Sequence, residues 1–337
     1  MRAIGGRLRR RRRRCRGFRR ASPTGRRGNP RAFGCTIRAM RLVTRGDLDG
    51  LTCAVLITQC ETIEEILLVH PQDVTDKKFR ATKDDILANL PYQAGCGKWF
   101  DHHLLTESNE SPPENFDGRY ALAPSAARVV YEYYVGQKPS LQRYEAQLAE
   151  TDRLDAALLE MEDVLDPKEY ILLGYTLDPR TALGTYREYF LMLVNALQTK
   201  PIEAVLQLPE VQERIRRIRE QDRHFREVTR QKSRLDGNVV LTDFRDLDKV
   251  PIGNRFLVYT LFPAANVSVR VHQGPNREHV ACAVGHSIFN RTCRTKVGEL
   301  MSDYGGGGHT GAGTCLLPAA EAERKLGEIV ERLKRNG

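Results

Sequence analysis

The chain has 337 residues, 41% of them hydrophobic, a length that can bury a large core and favours two domains over one. Its net charge of +10 would suggest nucleic-acid binding, but the first 39 residues alone hold 15 Arg and no Lys, Asp or Glu. No apolar run approaches the roughly 20 residues that a membrane span needs, and the eight cysteines form no Cys-x-x-Cys pair, so we expect a cytoplasmic protein with reduced thiols.

Residues 1–39 form an Arg-rich tail with an unbroken run from Arg9 to Arg14. The tail cannot bury apolar surface and is predicted to be disordered. It would suit an electrostatic arm for nucleic acid or an Arg-rich transit peptide. We favour a third interpretation, in which translation begins at Met40 and the tail is not translated. Without the tail, 38 basic and 43 acidic residues remain, a net charge of −5, so the folded part is mildly acidic.

From residue 40 onward, strand-like and helix-like apolar patterns alternate, which is typical of βαβ units and predicts a largely parallel sheet. The predicted elements of this part are strands at 41–45, 65–70, 85–90 and 98–100 and helices at 50–60, 125–133, 141–161 and 167–198. Ser125 is suited to cap the helix that it begins, whereas Asp178-Pro179 interrupts the last helix.

Residues 201–236 are predicted to be a helical connector, because the stretch is too polar for a core element. A second α/β unit of ordinary domain size follows. Its predicted strands are 238–243, 266–272, 279–286 and 310–317, and its predicted helices are 296–304 and 319–335. The predicted fold class is therefore α/β, with a parallel-sheet domain over 40–200 and a smaller α/β domain over 237–337.

Asp47 and Asp49 follow the first predicted strand, and Gly50 lets the chain turn tightly into the next helix. Side chains two residues apart share a face of a strand. Two close carboxylates resist ionising together unless a cation lies between them, so a hard divalent metal suits the pair. Asp is also a common helix cap, and the pair alone would more often be a turn than a metal site.

Asp101-His102-His103 ends the buried strand at 98–100, and the carboxyl ends of strands are where open α/β sheets bind their ligands. Imidazole suits Mn, Zn or Fe. Adjacent histidines point to different sides, so one could bind a metal while its neighbour faces a phosphate oxygen. The alternative is a solvated loop with two incidental histidines.

Gly305 to Gly308, followed by His309, lie between a predicted helix and a predicted strand. Exposed N–H groups in a glycine-rich turn form an anion-binding concavity, to which His309 can add a donor. Arg270 on an earlier strand could bind the same phosphate bidentately. Glycine runs are often linkers and Arg270 could equally be a solvated charge, but this run lies inside an otherwise ordered α/β unit.

Taken together and in this order, these motifs resemble the DHH phosphoesterase superfamily with its C-terminal DHHA1 domain, over essentially all of residues 40–337. The chain is most similar to the branch called exopolyphosphatase-related, beside the nanoRNases and cyclic-dinucleotide phosphodiesterases. The resemblance implies that 40–200 is the DHH catalytic domain and 237–337 the DHHA1 substrate-binding domain. The stretches that carry it are Asp47-x-Asp49-Gly50, Asp101-His102-His103 and Gly305 to His309 with Ala312, supported by Ser268-Val269-Arg270 and residues 285–291.

The resemblance also implies a role for each candidate residue. The implied metal ligands are Asp47, Asp49, Asn89, His102 and Asp155, with His70, Asp73 and Asp152 as alternatives. The implied catalytic residues are Asp101 and His103. The residues implied to hold the substrate's phosphate are Arg270, Gly306, Gly307, Gly308 and His309.

Two features depart from the family's pattern. Val43 and Arg45 stand where family members often carry a His or an Asp before the first carboxylate pair. Asn89 stands where an Asp that bridges two metals is expected. One metal, or two metals with an unusual ligand set, therefore both remain open.

The predicted function is that of a metal-dependent phosphohydrolase, in which one or two divalent ions, Mn²⁺ by preference, activate a water. The expected partner is a small phosphate-containing substrate, which is polyphosphate, a short oligonucleotide or a cyclic dinucleotide. No membrane is expected as a partner, and a homodimer is left open. The alternative function is a degenerate sensor that binds a nucleotide or phosphate without cleaving it.

Overall fold

The computed structural model describes residues 39–105, 110–177, 185–274 and 277–336. The Arg-rich tail up to residue 38 and the Asp178-Pro179 interruption lie outside these residues. The strands are β1 Met40–Thr44, β2 Ile63–Leu68, β3 Asp85–Ala88, β4 Lys98–Asp101, β5 Gly118–Tyr120, β6 Ser233–Asp236, β7 Val239–Asp243, β8 Val267–Gln273, β9 His279–His286, β10 Gly307–Gly308 and β11 Ala312–Pro318. The helices are α1 Leu48–Cys60, α2 Pro71–Thr75, α3 Ala126–Tyr134, α4 Glu145–Asp155, α5 Met161–Leu165, α6 Glu169–Thr176, α7 Tyr186–Thr199, α8 Ile202–Leu206, α9 Pro209–Lys232, α10 Leu257–Leu261, α11 Val297–Ser302 and α12 Ala322–Arg335.

The first sheet is parallel throughout, in the order β2-β1-β3-β4-β5, which confirms the predicted parallel sheet. Its central strands are buried on both faces because helices cover both sides. Leu42 and Phe100 pack with α1, α3 and α7 on one face, and Val43, Leu87 and Trp99 pack on the other. The carboxyl ends of β1, β3 and β4 therefore meet at one edge of the sheet.

The second sheet has the order β10-β11-β9-β8-β7-β6, and within it only the β7–β8 pair is parallel. Along β8, Val267, Val269 and Val271 are buried in a core that α11 and α12 share. Successive strand residues point to opposite faces. Arg270 consequently lies on the face away from this core.

The two sheets are linked by α9 and by a shared hydrophobic cluster. Leu159 and Val164 from the first-sheet part pack with Phe225 of α9 and with Phe244 and Leu257 from the second-sheet part. Arg291 also donates a 2.8 Å hydrogen bond to the Ala157 carbonyl across the same boundary. These contacts hold the two parts together beside a cleft. The predicted domain boundaries at residues 200 and 236 stay predictions.

Several element boundaries differ from prediction for local reasons. The connector helix ends at Lys232, because 233–236 forms β6 and returns into β7 through Gly237, whose φ is +63°. The third strand ends at Ala88, because Asn89 adopts a left-handed φ of +56°, a conformation in which Asn is enriched. The short elements β5, α2, α5 and α10 were not predicted, since none carries a long periodic pattern. None of the helices among the described residues is long and apolar enough to span a membrane.

Candidate metal and phosphate site

The carboxyl edge of the first sheet gathers polar side chains from three neighbouring strands. Asp47 and Asp49 follow β1, Asn89 follows β3, and Asp101 ends β4 with His102 directly after it. Parallel strands place their carboxyl ends together. The sequence therefore brings chemically active groups to one place although they come from separate stretches of the chain, with Asp49 and His102 lying 53 residues apart.

The His102 ring is fixed in one orientation. Its Nδ1 lies 2.9 Å from the Ala123 carbonyl oxygen, which can only accept, so Nδ1 carries the hydrogen. Nε2 then presents a lone pair, lying 3.2 Å from Asp155 Oδ2 and 3.8 Å from Asp49 Oδ2. This buried nitrogen makes no hydrogen bond. A histidine whose other nitrogen bonds a carbonyl is the usual arrangement of a metal ligand.

Helix α3 begins as predicted, with Ser125 as its cap. Asp49, in the first turn of α1, places its carboxylate against the amino end of α3. Its two oxygens accept hydrogen bonds from the N–H groups of Ala126 at 2.9 Å and Ala127 at 2.7 Å. Burial raises the pKa of Asp49 well above its usual value, and the charges of Asp155 and Asp47 raise it further, against these two N–H groups. Each oxygen keeps a lone pair, and a cation would relieve the repulsion.

Asp155 completes the cluster from the end of α4. Its carboxylate is 26% exposed, and burial raises its pKa while His102 opposes the rise. The ligand atoms of Asp49, His102 and Asp155 all lie within 4.8 Å of one another. Two carboxylates and one imidazole with an unpartnered lone pair fit a divalent cation such as Mn²⁺, Fe²⁺ or Zn²⁺.

Asp47 has a different environment from the one expected of a metal ligand, whereas the Oδ1 of Asn89 is buried without a hydrogen-bond partner. Asp47 Oδ1 accepts from Gly50 N at 2.9 Å and from Asn89 Nδ2 at 3.0 Å, and Oδ2 pairs with Arg45 Nε at 2.9 Å. Asp47 thus caps α1 and holds two further donors, and it lies outside the cluster of Asp49, His102 and Asp155.

Asp101 is buried and contacts the two histidines that follow it. Its Oδ1 accepts from His102 N at 2.9 Å and lies 2.8 Å from His103 Nδ1. The contact orients the His103 ring, with Nε2 on the side away from Asp101, and His103 lines the cleft. The geometry makes Asp101 a positioning residue for His103. A direct catalytic role for either residue stays a prediction.

The alternative ligands lie elsewhere. Asp152 accepts from Ser125 Oγ at 2.6 Å and from Arg128 Nε at 2.9 Å, a structural pairing one helical turn away from Asp155. Asp73 lies 3.6 Å from Lys78 Nζ. His70 lines the cleft, but its Nδ1 accepts from Gln72 N at 3.1 Å as the cap of α2.

A cleft of about 1890 Å³ joins the cluster to the second-sheet part. Arg270 and His309 line it together with Asp49 and His102, so the residues predicted to hold a phosphate share one space with the metal cluster. Sequence reasoning missed Arg255, which lines the same cleft. It lies in a loop without periodicity, so the sequence carries no signal for it.

The glycine turn differs from expectation. The N–H of Gly305 donates to Ser302 O, that of Gly306 to Met301 O, and that of His309 to Ala312 O. The N–H of Gly306 is therefore already bonded within the chain, and phosphate binding by Gly306 stays a prediction. A Cβ on Gly306 would lie 2.0 Å from Thr314 O, so this glycine permits close backbone packing. Phosphate binding by Gly307, Gly308 and His309 stays a prediction.

No family model and no curated protein matches this chain, but solved structures do. A pGpG-specific phosphodiesterase, PggH from Vibrio cholerae, is 36% identical with a TM-score of 0.78, over 88% of this chain and 100% of that one. RecJ from Thermus thermophilus in complex with Mn²⁺ is 12% identical with a TM-score of 0.55, over 89% and 52%. An exonuclease RecJ bound to manganese is 13% identical with a TM-score of 0.51, over 89% and 91%.

The full-length likeness to the phosphodiesterase identifies the class of this protein: the chain belongs to the DHH superfamily of phosphoesterases. It is an enzyme, a metal-dependent hydrolase of phosphate esters, and a degenerate sensor is not favoured. The two RecJ structures, at 12% and 13% identity, show the shared fold alone.

Proposed function

We propose that this chain hydrolyses the phosphodiester bond of short linear oligonucleotides, with a dinucleotide such as pGpG as the first candidate. The observation that carries this proposal is a second pocket of about 700 Å³ beside the cleft. The pocket shares Arg255, Phe256, Arg270 and His309 with the cleft. A phosphate bound at Arg255 and Arg270 would place the attached nucleoside in the second pocket.

The lining of the second pocket suits a nucleobase. Phe256, Tyr259, Val284 and Ile288 contribute apolar and aromatic surface, and the Arg255 guanidinium carbon lies 4.7 Å from the centre of the Phe256 ring. Stacking on such side chains stabilises a bound base by about 1–3 kcal/mol. Polyphosphate has no group that would fill an apolar pocket, so the pocket favours a nucleotide over an exopolyphosphatase substrate.

The name of the first solved structure reported above supports the same substrate class. That protein is a pGpG-specific phosphodiesterase, and 36% identity over its whole length is compatible with a related substrate. We propose Mn²⁺ as the ion, because the cluster combines carboxylates with an imidazole and because RecJ, which shares the fold, was solved with manganese.

Each residue has a defined task in the proposed reaction. A bound divalent ion supplies charge for the scissile phosphoryl group and a water of lowered pKa. Asp49, His102 and Asp155 hold the ion, and the Ala123 carbonyl keeps His102 in the ligating tautomer. Asp101 orients His103 towards the substrate. Arg255 and Arg270 bind phosphate oxygens from the second-sheet part.

The test is a substrate panel assayed with Mn²⁺ by chromatography of the products. We expect pGpG to be converted into two molecules of GMP faster than cyclic di-GMP or polyphosphate is degraded. Asp49→Asn should lose at least about 100-fold of this activity, since it removes a ligand charge. The matched control is Asp248→Asn, a change at a 97% exposed carboxylate, which should act like the wild type. Faster release of phosphate from polyphosphate, or no cleavage of any oligonucleotide, would contradict the proposal.

A further inference from the structure

Three nitrogen donors already contact Asp47. A carboxylate has about four lone-pair directions, and three donors occupy three of them: Gly50 N at 2.9 Å, Asn89 Nδ2 at 3.0 Å and Arg45 Nε at 2.9 Å. Asp49, two residues later, accepts from two N–H groups at the start of α3 and lies 3.8 Å from the weak donor Cys53 Sγ, and it faces Nε2 of His102. The two carboxylates of one motif therefore serve different partners.

Asn89 supports this division. Its side chain is neutral and 1% exposed, and its amide nitrogen donates to Asp47. A neutral amide oxygen adds no charge to a second metal site, and it does not bridge two cations as a carboxylate does. Asn89 Oδ1 is buried without a hydrogen-bond partner, so it could serve as a neutral ligand. With three donors already on Asp47, the described residues around it supply too little free negative charge for a second divalent ion.

Arg45 places a permanent positive charge at this position. Guanidinium stays protonated at any physiological pH, and this one is anchored by Asp47 while its side chain is 42% exposed and lines the cleft. Arg45 lines the cleft together with Asp49, His102 and Asp155 of the metal cluster. A guanidinium also offers paired donors that match phosphate oxygens.

We propose that this enzyme works with one divalent ion, held by Asp49, His102 and Asp155, and that Arg45, anchored by Asp47, takes the place of a second ion by binding the substrate phosphate. The inference rests on the proposed function for its phosphate substrate, but the number of ions does not depend on it. Unlike a metal, the guanidinium stays in place when metal is scarce.

The first experiment counts bound ions. Metal-free full-length protein is titrated with Mn²⁺ by calorimetry, and bound Mn is measured by mass spectrometry after gel filtration. We expect one ion per chain for the wild type and for Arg45→Gln. The double variant Arg45→His with Asn89→Asp should bind two. A wild type with two ions, a single ion in the double variant, or loss of the ion in Arg45→Gln would each overturn the inference.

The second experiment measures how much the charge of Arg45 contributes to catalysis. With bis(4-nitrophenyl) phosphate, a diester without a nucleobase, Arg45→Gln should lower kcat/KM about 10- to 100-fold, the usual effect of one lost charged hydrogen bond. Arg45→Lys should recover most of the loss. The control is Arg119→Ala. It removes an exposed arginine on β5 of the same sheet, which pairs with Glu132 on α3. Equal kcat/KM for Arg45→Gln and wild type would refute the charge role.

The outcomes separate this inference from the proposed function. One ion per chain and diester cleavage without activity on any oligonucleotide would reject the substrate and leave the inference standing. Two ions with pGpG cleavage would reject the inference and leave the substrate standing. A chain that binds no ion would reject both.

Discussion

The metal cluster and the glycine turn, whose following residue His309 lines the same cleft as the cluster, are built in opposite ways. At the carboxyl edge of the first sheet, side chains meet with incomplete bonding, and the buried Nε2 of His102 has no hydrogen-bond partner. In the glycine turn, the backbone closes on itself, with Gly305, Gly306 and His309 all donating to nearby carbonyls. The first region keeps an unpartnered ligand atom, whereas in the second these N–H groups are already satisfied.

This difference indicates where binding energy is available. A buried polar atom without a partner costs about 1–3 kcal/mol, which a ligand can recover. An N–H group already bonded to a carbonyl offers little to an anion, because binding would first break the existing bond. The cluster should therefore control activity, and the glycine turn should control stability.

The largest expected effect is at His102. His102→Ala removes the unpartnered nitrogen, so activity should fall at least about 100-fold. The stabilisation by Mn²⁺, about 2.7 kcal/mol at 100 times the dissociation constant, should disappear as well. Hydrolysis assays and thermal unfolding with and without Mn²⁺ measure both effects.

His224→Ala is the matched control for this change, because His224 is an exposed histidine on α9. It should retain full activity and the full response to Mn²⁺. If the His102→Ala protein were still stabilised by Mn²⁺, the cluster would not be the metal site, and the contrast with the glycine turn would fail.

The second effect separates two neighbouring glycines. A Cβ on Gly306 would lie 2.0 Å from Thr314 O, whereas a Cβ on Gly307 would meet no atom within 4 Å. Gly306→Ala should lower the free energy of unfolding by about 2 kcal/mol, as overpacking does, and Gly307→Ala should change it little. Urea unfolding of both variants measures the difference in the free energy of unfolding. Equal stability of the two variants would contradict the role assigned to the turn.

The sequence predicted the cluster because its chemistry follows from strand order. Once β1, β3 and β4 are parallel, the residues after them must meet at one edge, and this holds for Asp49, Asn89 and His102. The choice between Asp152 and Asp155 was left open, since it depends on how α4 is rotated against the sheet. The structure places Asp155 3.2 Å from His102 and pairs Asp152 with Arg128.

The sequence does not show which groups are already hydrogen-bonded to distant parts of the chain. Whether a glycine N–H is free depends on the end of α11 and on the register of β11, and neither is visible in a glycine run. The bonding of Asp47 was hidden for a similar reason, because Asn89 reaches it from a different strand. Arg255 gave no signal at all, since an arginine in an irregular loop is usually a solvated charge.

The smallest effect sharpens the comparison, because it tests a side chain of the second-sheet part. Among the described residues, no carboxylate lies within ion-pair distance of Arg255, although it lines both the cleft and the adjoining pocket. Although Arg255 reaches solvent in the cleft, the surrounding protein desolvates it. This desolvation, together with the charge of Arg45, lowers its pKa. A bound phosphate would relieve both costs.

Arg255→Ala should therefore raise KM for pGpG about 10-fold, or about 1.4 kcal/mol, with a smaller change in kcat. Steady-state kinetics on pGpG and on bis(4-nitrophenyl) phosphate measure the effect, which should be larger for the nucleotide because Arg255 also packs on Phe256 in the base pocket. Arg234→Ala, an exposed arginine on the edge strand β6, should leave KM unchanged. If both variants behaved alike, the second-sheet part would contribute no charge from Arg255 to substrate binding, and recognition would fall to the metal cluster, Arg45 and Arg270.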